Sequence, residues 1–132
     1  MMLLFVNGTL MRGLALHGNL GAAMLVGERW TARSYRMHSI GDLHPGMYEA
    51  HEGGVAVRGE LYEISTDDCE QLLAAEPPDL YLGDVRLDDG EVVKGILYPA
   101  ELAAGHPDVS DLGSWRAYVS SMESAHPAKL RG

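Results

Sequence analysis

The segment YLGDVRLDDGEVVKGILYP, residues 81–99, constrains the fold most, because it is the clearest β-hairpin in the chain. Two strand-like runs flank Asp88-Asp89-Gly90, and Asp-Gly is a pair that favours tight turns between antiparallel strands. Other strand-like runs lie at residues 3–6 and in AMLVGERWT, YRMHSI and VAVRGELYEI, and GDLHPGMYEA reads as a loop broken by Pro45-Gly46 before a short strand. The sequence therefore predicts about six or seven short strands, most of them antiparallel.

Short helices interrupt these strands one at a time. Ser65 followed by Asp68 is typical of a capped helix start, and the helix that it opens covers residues 66–75. Ser114 is a candidate cap for a last helix, WRAYVSSMES, and a further short helix is predicted within residues 14–23. Helices that come singly between clustered strands favour a sheet or barrel over a doubly wound α/β fold.

Length and composition indicate a single domain, residues 1–132. The chain has 132 residues, of which 46% are hydrophobic and 22% charged, which is enough to bury a core of its own. The predicted fold class is α+β: a small mixed, mostly antiparallel β-barrel with short helices packed around it. The polar, proline-containing tail SAHPAKLRG is predicted to fray.

The charge balance limits the partners. A net charge of −9, from 10 basic and 19 acidic residues, argues against nucleic acid or an anionic membrane surface, but a few local donors can still bind a small anionic substrate. A single cysteine, Cys69, excludes an internal disulfide, and the N-terminal apolar run is too short for a signal peptide or a membrane span. We therefore expect a cytoplasmic protein. Trp115 and Tyr118 suit either a core or an interface, which leaves both a monomer and a homodimer open.

A polar loop follows the first strand in LLFVNGTLMRG. Asn-Gly often closes a hairpin, but the next residues, TLMRGLALHGNL, do not alternate as a returning strand would. Gly8, Thr9 and Leu10 lie just past the strand end, and their successive N–H groups can form a concave site for a carboxylate or an oxyanion. Arg12 would add a full positive charge nearby. Alternatively, the loop is a tight strand-to-helix turn in which Gly8 supplies an unusual φ.

A second candidate is Glu76 in LLAAEPPDLY. Because proline disfavours the α conformation in the residue before it, Pro77 places Glu76 just beyond a helix that ends near Ala75. The negative end of the helix dipole tends to raise the pKa of a carboxyl group there, and a raised pKa suits a general acid/base. The alternative is a solvated glutamate that happens to precede a loop.

The remaining chemistry-bearing residues give weaker signals. The six histidines are scattered, and although His44 and His51 flank one loop, no pair has the helical spacing of a zinc site. No metal or cofactor is predicted, and no nucleotide-binding or hydrolase motif is present in the sequence. Tyr62 and Tyr81 lie near strand ends, where they can line a pocket or pack as half-buried sheet residues.

Two stretches and their spacing resemble the gamma-glutamylcyclotransferase-like family. VNGTLMRG resembles its opening motif, an apolar strand followed by Tyr-Gly-Ser/Thr-Leu, a basic residue and Gly. VRGELYEI resembles its middle motif, a Gly-Glu-aliphatic-Tyr strand that precedes a helix and the catalytic glutamate. The matching positions are Gly8, Thr9, Leu10, Gly59, Glu60, Leu61, Tyr62 and Glu76. The spacing from Gly59 to Glu76 is similar to that of the gamma-glutamylamine cyclotransferase branch.

The C-terminal half shows a second, more specific resemblance. DGEVVKG and DVSDLGSWRAY are similar to stretches of the C-terminal domain of allophanate hydrolase, which shares the cyclotransferase fold. That domain handles the carbamate-like product of an amidase domain, and this sequence contains no amidase domain. The resemblance therefore implies a free-standing relative that lies between the two branches.

The resemblance implies a pocket beside the first loop and a reaction that needs no metal or nucleotide. Loop N–H groups would bind the carboxylate region of a gamma-glutamyl amine or peptide, and a glutamate would move the proton that lets the α-amino group attack the γ-carbonyl. The products would be 5-oxoproline and an amine. On this reading Glu76 is the catalytic residue, and the substrate-binding residues are Asn7, Gly8, Thr9, Leu10, Arg12, Tyr62 and Tyr81.

One departure from the family pattern keeps other functions open. Asn7 stands where the cyclotransferase loop has tyrosine, so this position departs from a typical gamma-glutamyl site. One alternative is an enzyme that, like the allophanate hydrolase C-terminal domain, acts on a carbamate or urea-derived anion. The other is a non-catalytic module that binds small anions.

Overall fold

The structure is a computed structural model that describes residues 1–125. The predicted fraying of the tail falls mostly on residues 126–132, which lie outside the described residues. The strands are β1 (Met2–Val6), β2 (Met24–Trp30), β3 (Tyr35–Ile40), β4 (His44–Glu49), β5 (Arg58–Ile64), β6 (Tyr81–Arg86) and β7 (Val92–Leu97). The helices are α1 (Thr66–Ala74), α2 (Ala100–Ala103) and α3 (Trp115–Ala125), and 3-10 turns cover His17–Leu20 and Ser110–Leu112.

The strands form one mixed sheet and a separate hairpin. The five-stranded sheet has the order β2-β5-β1-β7-β6, in which β1 runs parallel to β7 and the other neighbours are antiparallel. Strands β3 and β4 pair with each other outside this sheet. The α+β class with a mostly antiparallel sheet is confirmed.

The predicted barrel is not closed. The two edge strands, β2 and β6, approach each other only at one end of the described sheet, through an isolated bridge between Thr31 and Leu87. Beyond Thr31 the chain leaves the sheet edge and enters β3, which pairs with β4 instead of extending along β6. The sheet therefore stays open.

Strand β1 lies at the centre of the core. Leu4, Phe5 and Val6 are each at most 1% exposed, because β5 and β7 flank this strand on either side. The side chain of Trp115, at the start of α3, is 1% exposed and belongs to the same apolar cluster. The loop that follows β1 consequently leaves from a strand that is buried in the core.

The helix starts agree with their capping residues. The hydroxyl of Ser65 accepts a hydrogen bond from the N–H of Asp68 at 3.1 Å, and that of Ser114 accepts one from Ala117 at 3.0 Å. The short helix predicted within residues 14–23 is a four-residue 3-10 helix, His17–Leu20. Pro45, predicted as a strand breaker, lies inside β4, opposite Ser39. None of the helices in residues 1–125 has the length and apolar character that crossing a bilayer requires.

Candidate active site

A small cavity lies where three distant segments meet. One wall is the loop after β1, residues 7–10, the second is His44 and Pro45 at the start of β4, and the third is Glu76 with Leu80. Its volume is about 20 Å³, close to the room that one ordered water needs. The carboxyl group that follows α1 and the backbone that follows β1 thus share one cavity.

The loop wall presents backbone N–H groups that the fold leaves free. The N–H of Met11 donates to the carbonyl of Gly8 at 3.0 Å, which closes a β-turn over Thr9 and Leu10. Among the described residues, the N–H groups of Thr9 and Leu10 have no acceptor. Two adjacent free amides at a strand end can bind a carboxylate or an oxyanion.

Gly8 is required by a close approach and not by an unusual φ. Its φ lies outside the left-handed region, so the turn itself does not demand glycine. A Cβ at this position would lie 2.7 Å from Cδ of Pro45 and 2.8 Å from its Cγ, well inside contact distance. Gly8 therefore lets the loop pack directly against the rigid ring of Pro45 across the cavity.

We expect Gly8→Ala to lower the free energy of unfolding by about 1–3 kcal/mol, since the added methyl group must push apart two rigid walls. Chemical denaturation measures the change. The matched control is Gly18→Ala, because Gly18 has an ordinary φ and open space around its Cα. Equal stability of the two variants would contradict the packing role given to Gly8.

Glu76 brings an unsatisfied carboxyl oxygen to this cavity. Its backbone N–H donates to the carbonyl of Leu73 at 3.2 Å, so the residue continues the turn that ends α1 before Pro77 redirects the chain. Its Oε1 atom is buried and has no hydrogen-bond partner among the described residues. Burial raises the pKa of Glu76 above its ordinary value of 4.5. The predicted direction of the shift is right, and its cause in the structure is burial.

His44 lines the same cavity as Glu76, and the sequence did not reveal this. Its side chain is 6% exposed, and its Nδ1 lies 2.9 Å from the carbonyl oxygen of Pro45. Its ring also packs near that of Tyr98, with 6.0 Å between the ring centres. In the sequence, His44 is a candidate only beside His51, as a metal ligand. Within residues 1–125, no three His, Cys, Asp or Glu side chains gather as a metal site would require.

Three residues predicted to bind substrate lie elsewhere. Arg12 and Tyr62 line a different depression, beside the turn at His17–Leu20. Tyr81 lies at the outer edge of the sheet, 46% exposed, beside Glu49 and Pro99. The structure therefore brings Asn7, Gly8, Thr9, Leu10 and Glu76 together and places these three apart from them.

The side chain of Asn7 points partly into the core, although the residue lines the cavity. Its Nδ2 lies 3.6 Å from the sulfur of Met47 and 3.9 Å from that of Met37, and the residue is 4% exposed. Thioether sulfurs are weak acceptors. Where the cyclotransferase loop has a tyrosine, this chain therefore has a short amide held between two methionines of β3 and β4.

Arg12 and Tyr62 form hydrogen bonds with the buried carboxylate of Glu60. The Glu60 carboxylate is 2% exposed and accepts hydrogen bonds from the backbone N–H and the Nε of Arg12, each at 2.9 Å, and from the hydroxyl of Tyr62 at 2.9 Å. Burial alone would raise the pKa of Glu60, but these hydrogen bonds outweigh it and the pKa is lowered. Burial, with Glu60 beside the hydroxyl, raises the pKa of Tyr62 to about 12.

The same carboxylate ties the first loop to two other elements. Arg116 of α3 lies 3.7 Å from Glu60 and donates to the carbonyl of Arg12 at 2.7 Å. Glu60 itself lies on β5, next to β1. The end of the loop that carries the free amides is thus fixed on its far side by the buried Glu60 carboxylate and two half-exposed arginines.

Most of the described chain matches one known family. Residues 2–120 match the family described as the allophanate hydrolase C-terminal domain, and the chain belongs to this family. A crystal structure of c4763, a uropathogenic E. coli-specific protein, is 41% identical with a TM-score of 0.87, covering 90% of this chain and 95% of that one. The allophanate hydrolase of Kluyveromyces lactis is 26% identical with a TM-score of 0.83, covering 92% of this chain and 21% of the enzyme.

A cyclotransferase relative matches part of the chain. A Vibrio cholerae protein named "Putative gamma-glutamylcyclotransferase" is 34% identical over 70 residues, which are 53% of this chain and 57% of that protein. A urea amidolyase of Lachancea kluyveri matches 91% of this chain but only 7% of its own length. The chain therefore spans less than two thirds of the length of either curated relative.

Proposed function

We propose that this protein is a gamma-glutamylcyclotransferase-like enzyme, with Glu76 as its general acid/base and the loop after β1 as its anion site. The observation that carries the proposal is the buried, unpartnered Oε1 of Glu76 in the cavity that the free-amide loop also lines. A buried polar atom without a partner costs stability, so its presence in a cavity points to a ligand that supplies the partner. Similarity to a cyclotransferase relative adds support.

The reaction is the cyclisation of a gamma-glutamyl amine or peptide. The substrate carboxylate accepts hydrogen bonds from the N–H groups of Thr9 and Leu10, and this holds the α-nitrogen against its own γ-carbonyl. Glu76 takes a proton from that nitrogen as its bond to the carbonyl carbon forms, and returns a proton to the departing nitrogen as the old C–N bond breaks. Because nucleophile and electrophile belong to one molecule, positioning and proton transfer supply most of the rate gain.

The cavity volume limits what can enter. Space of about 20 Å³ holds a single water-sized group, so a complete gamma-glutamyl group needs the walls to separate. His44 and Pro45 belong to the separate β3–β4 hairpin, which is the wall that is not part of the main sheet. We therefore expect small amine leaving groups to be preferred.

The test is turnover of a substrate series by the purified protein. Gamma-glutamyl amines and dipeptides are incubated with it, and 5-oxoproline and free amine are measured by chromatography. The matched control substrates are the α-glutamyl isomers, whose cyclisation cannot release the amine. The proposal predicts equal amounts of both products from gamma-glutamyl substrates. Binding without any product would contradict it and favour an anion-binding module.

Membership of the allophanate hydrolase C-terminal family favours a second candidate, turnover of a carbamate or urea-derived anion. The same free amides would hold such an anion, and Glu76 would again move the proton. The test supplies an allophanate-derived intermediate, generated in place by a separate amidase, and follows ammonia and carbon dioxide. Release no faster than in buffer would remove this candidate.

A further inference from the structure

We propose that His44 is a second proton-transfer residue of the Glu76 cavity, a role that rests on the proposed cyclotransferase reaction. His44 lines the same cavity as Glu76 but belongs to the β3–β4 hairpin, and it is almost fully buried. The two residues are separated by 32 positions in the sequence and reach the cavity from different parts of the fold.

The contacts of His44 determine which ring nitrogen is available. A carbonyl oxygen only accepts hydrogen bonds, so the 2.9 Å contact between Nδ1 and the carbonyl of Pro45 places a proton on Nδ1. The Nε2 atom has no hydrogen-bond partner among the described residues and is not one of their buried, unsatisfied atoms. In the neutral ring, Nε2 therefore carries the lone pair and can accept a proton.

Counted from the ammonium form of the substrate, the reaction moves two protons. The substrate enters with an α-ammonium group that holds three protons and leaves as a lactam whose nitrogen holds one. The departing nitrogen begins as an amide N–H and leaves as an ammonium group, so it gains two protons. A single carboxyl group can hold one of the two protons at a time.

The steps balance when the protons are divided between the two residues. Nε2 of His44 takes the first proton from the α-ammonium group, which leaves a nucleophilic amine. The amine attacks the γ-carbonyl carbon while Glu76 accepts the second proton. As the C–N bond to the leaving group breaks, Glu76 protonates the departing nitrogen, and His44 returns its proton to give the free ammonium ion.

Titratable groups lie on several elements near His44, among them Asp42 in the turn that precedes β4. Glu76 lies across the cavity, and Tyr98 packs beside the His44 ring. The Tyr98 side chain is 5% exposed. A pH dependence that is lost on changing His44 is therefore compared with the dependence in the Glu76 variant.

The experiment measures kcat and KM against pH for the wild type, His44→Gln, His44→Phe and Glu76→Gln. Glutamine keeps a hydrogen-bond donor near the carbonyl of Pro45, and phenylalanine keeps a ring against Tyr98, so each preserves a different structural contact. The matched control is His51→Gln, because His51 is exposed and lies outside the cavity. We expect both His44 variants to lose about 10²–10³-fold in kcat with little change in KM, and to lose one limb of the pH profile.

The outcomes separate this inference from the proposed function. Wild-type kcat and pH profile in a folded His44 variant, with Glu76→Gln inactive, would overturn the role of His44 and leave the cyclotransferase intact. A wild type that forms no 5-oxoproline would overturn both. Nitrogen-15 NMR of the wild type with added 5-oxoproline needs no variant: the ring signals of His44 should shift and those of His51 should not, and unmoved His44 signals would contradict the proposal.

Discussion

Replacing Glu76 with glutamine is expected to lower 5-oxoproline formation by about 10³-fold or more, because glutamine keeps the shape of the side chain but cannot carry a proton. Product formation under saturating substrate measures the loss. The matched control is Glu70→Gln, since Glu70 is an exposed carboxyl group on α1, a short distance earlier in the chain. Near wild-type turnover by Glu76→Gln would exclude the assigned role.

The same substitution is expected to stabilise the fold at neutral pH. Burial raises the pKa of Glu76 above 4.5, so the folded state favours the protonated form. Its stabilising contribution is complete below the unfolded pKa and is lost as the pH rises through the raised folded value. Glutamine is never ionised, so denaturation curves of Glu76→Gln should lack this loss. A variant with lower activity and lower stability would indicate misfolding instead of a lost proton carrier.

Replacing Glu60 with alanine is expected to lower the free energy of unfolding by about 2–4 kcal/mol. The change leaves the buried Tyr62 hydroxyl and the partly buried backbone N–H of Arg12 without their acceptor. It also releases the far end of the loop that carries the free amides, so we expect weaker binding of carboxylate ligands. Chemical denaturation measures the first effect and calorimetry the second.

The pH dependence of Glu60 has the opposite sign to that of Glu76. Hydrogen bonds that outweigh burial lower the pKa of Glu60, so its contribution is present above the unfolded value of about 4.5 and is lost as the pH falls through the folded value. Wild-type protein should therefore lose stability in acid more steeply than Glu60→Ala. The matched control is Glu63→Ala, an exposed carboxyl group on the same strand. Equal effects of the two substitutions would contradict the stabilising hydrogen bonds assigned to Glu60.

The local features of the fold could be predicted because their causes are local. The hairpin around Asp88-Asp89-Gly90 and the caps Ser65 and Ser114 depend on neighbours within a few residues, and the structure contains all three. The closure of the sheet depends on where β3 goes after β2. That choice is made by pairing with β4, and strand patterns alone do not show it.

The candidate site was predictable in part. The loop after β1 and Glu76 each follow a predicted element, so their ends could be located, and the structure places them at one cavity. His44 and Pro45 reach it from a hairpin whose position depends on tertiary packing. The contact of Arg12 with a buried carboxylate on β5 could not be predicted either, because the sequence places this arginine only beside a predicted anion site.

The position of bound 5-oxoproline in a crystal of the wild-type protein tests the central claim most directly. If the cavity is the active site, the carboxylate of this ligand lies about 3 Å from the N–H nitrogens of Thr9 or Leu10, and its ring nitrogen lies within hydrogen-bond reach of Glu76. A ligand bound elsewhere, or a Glu76 carboxyl group that makes no contact with it, would contradict the account.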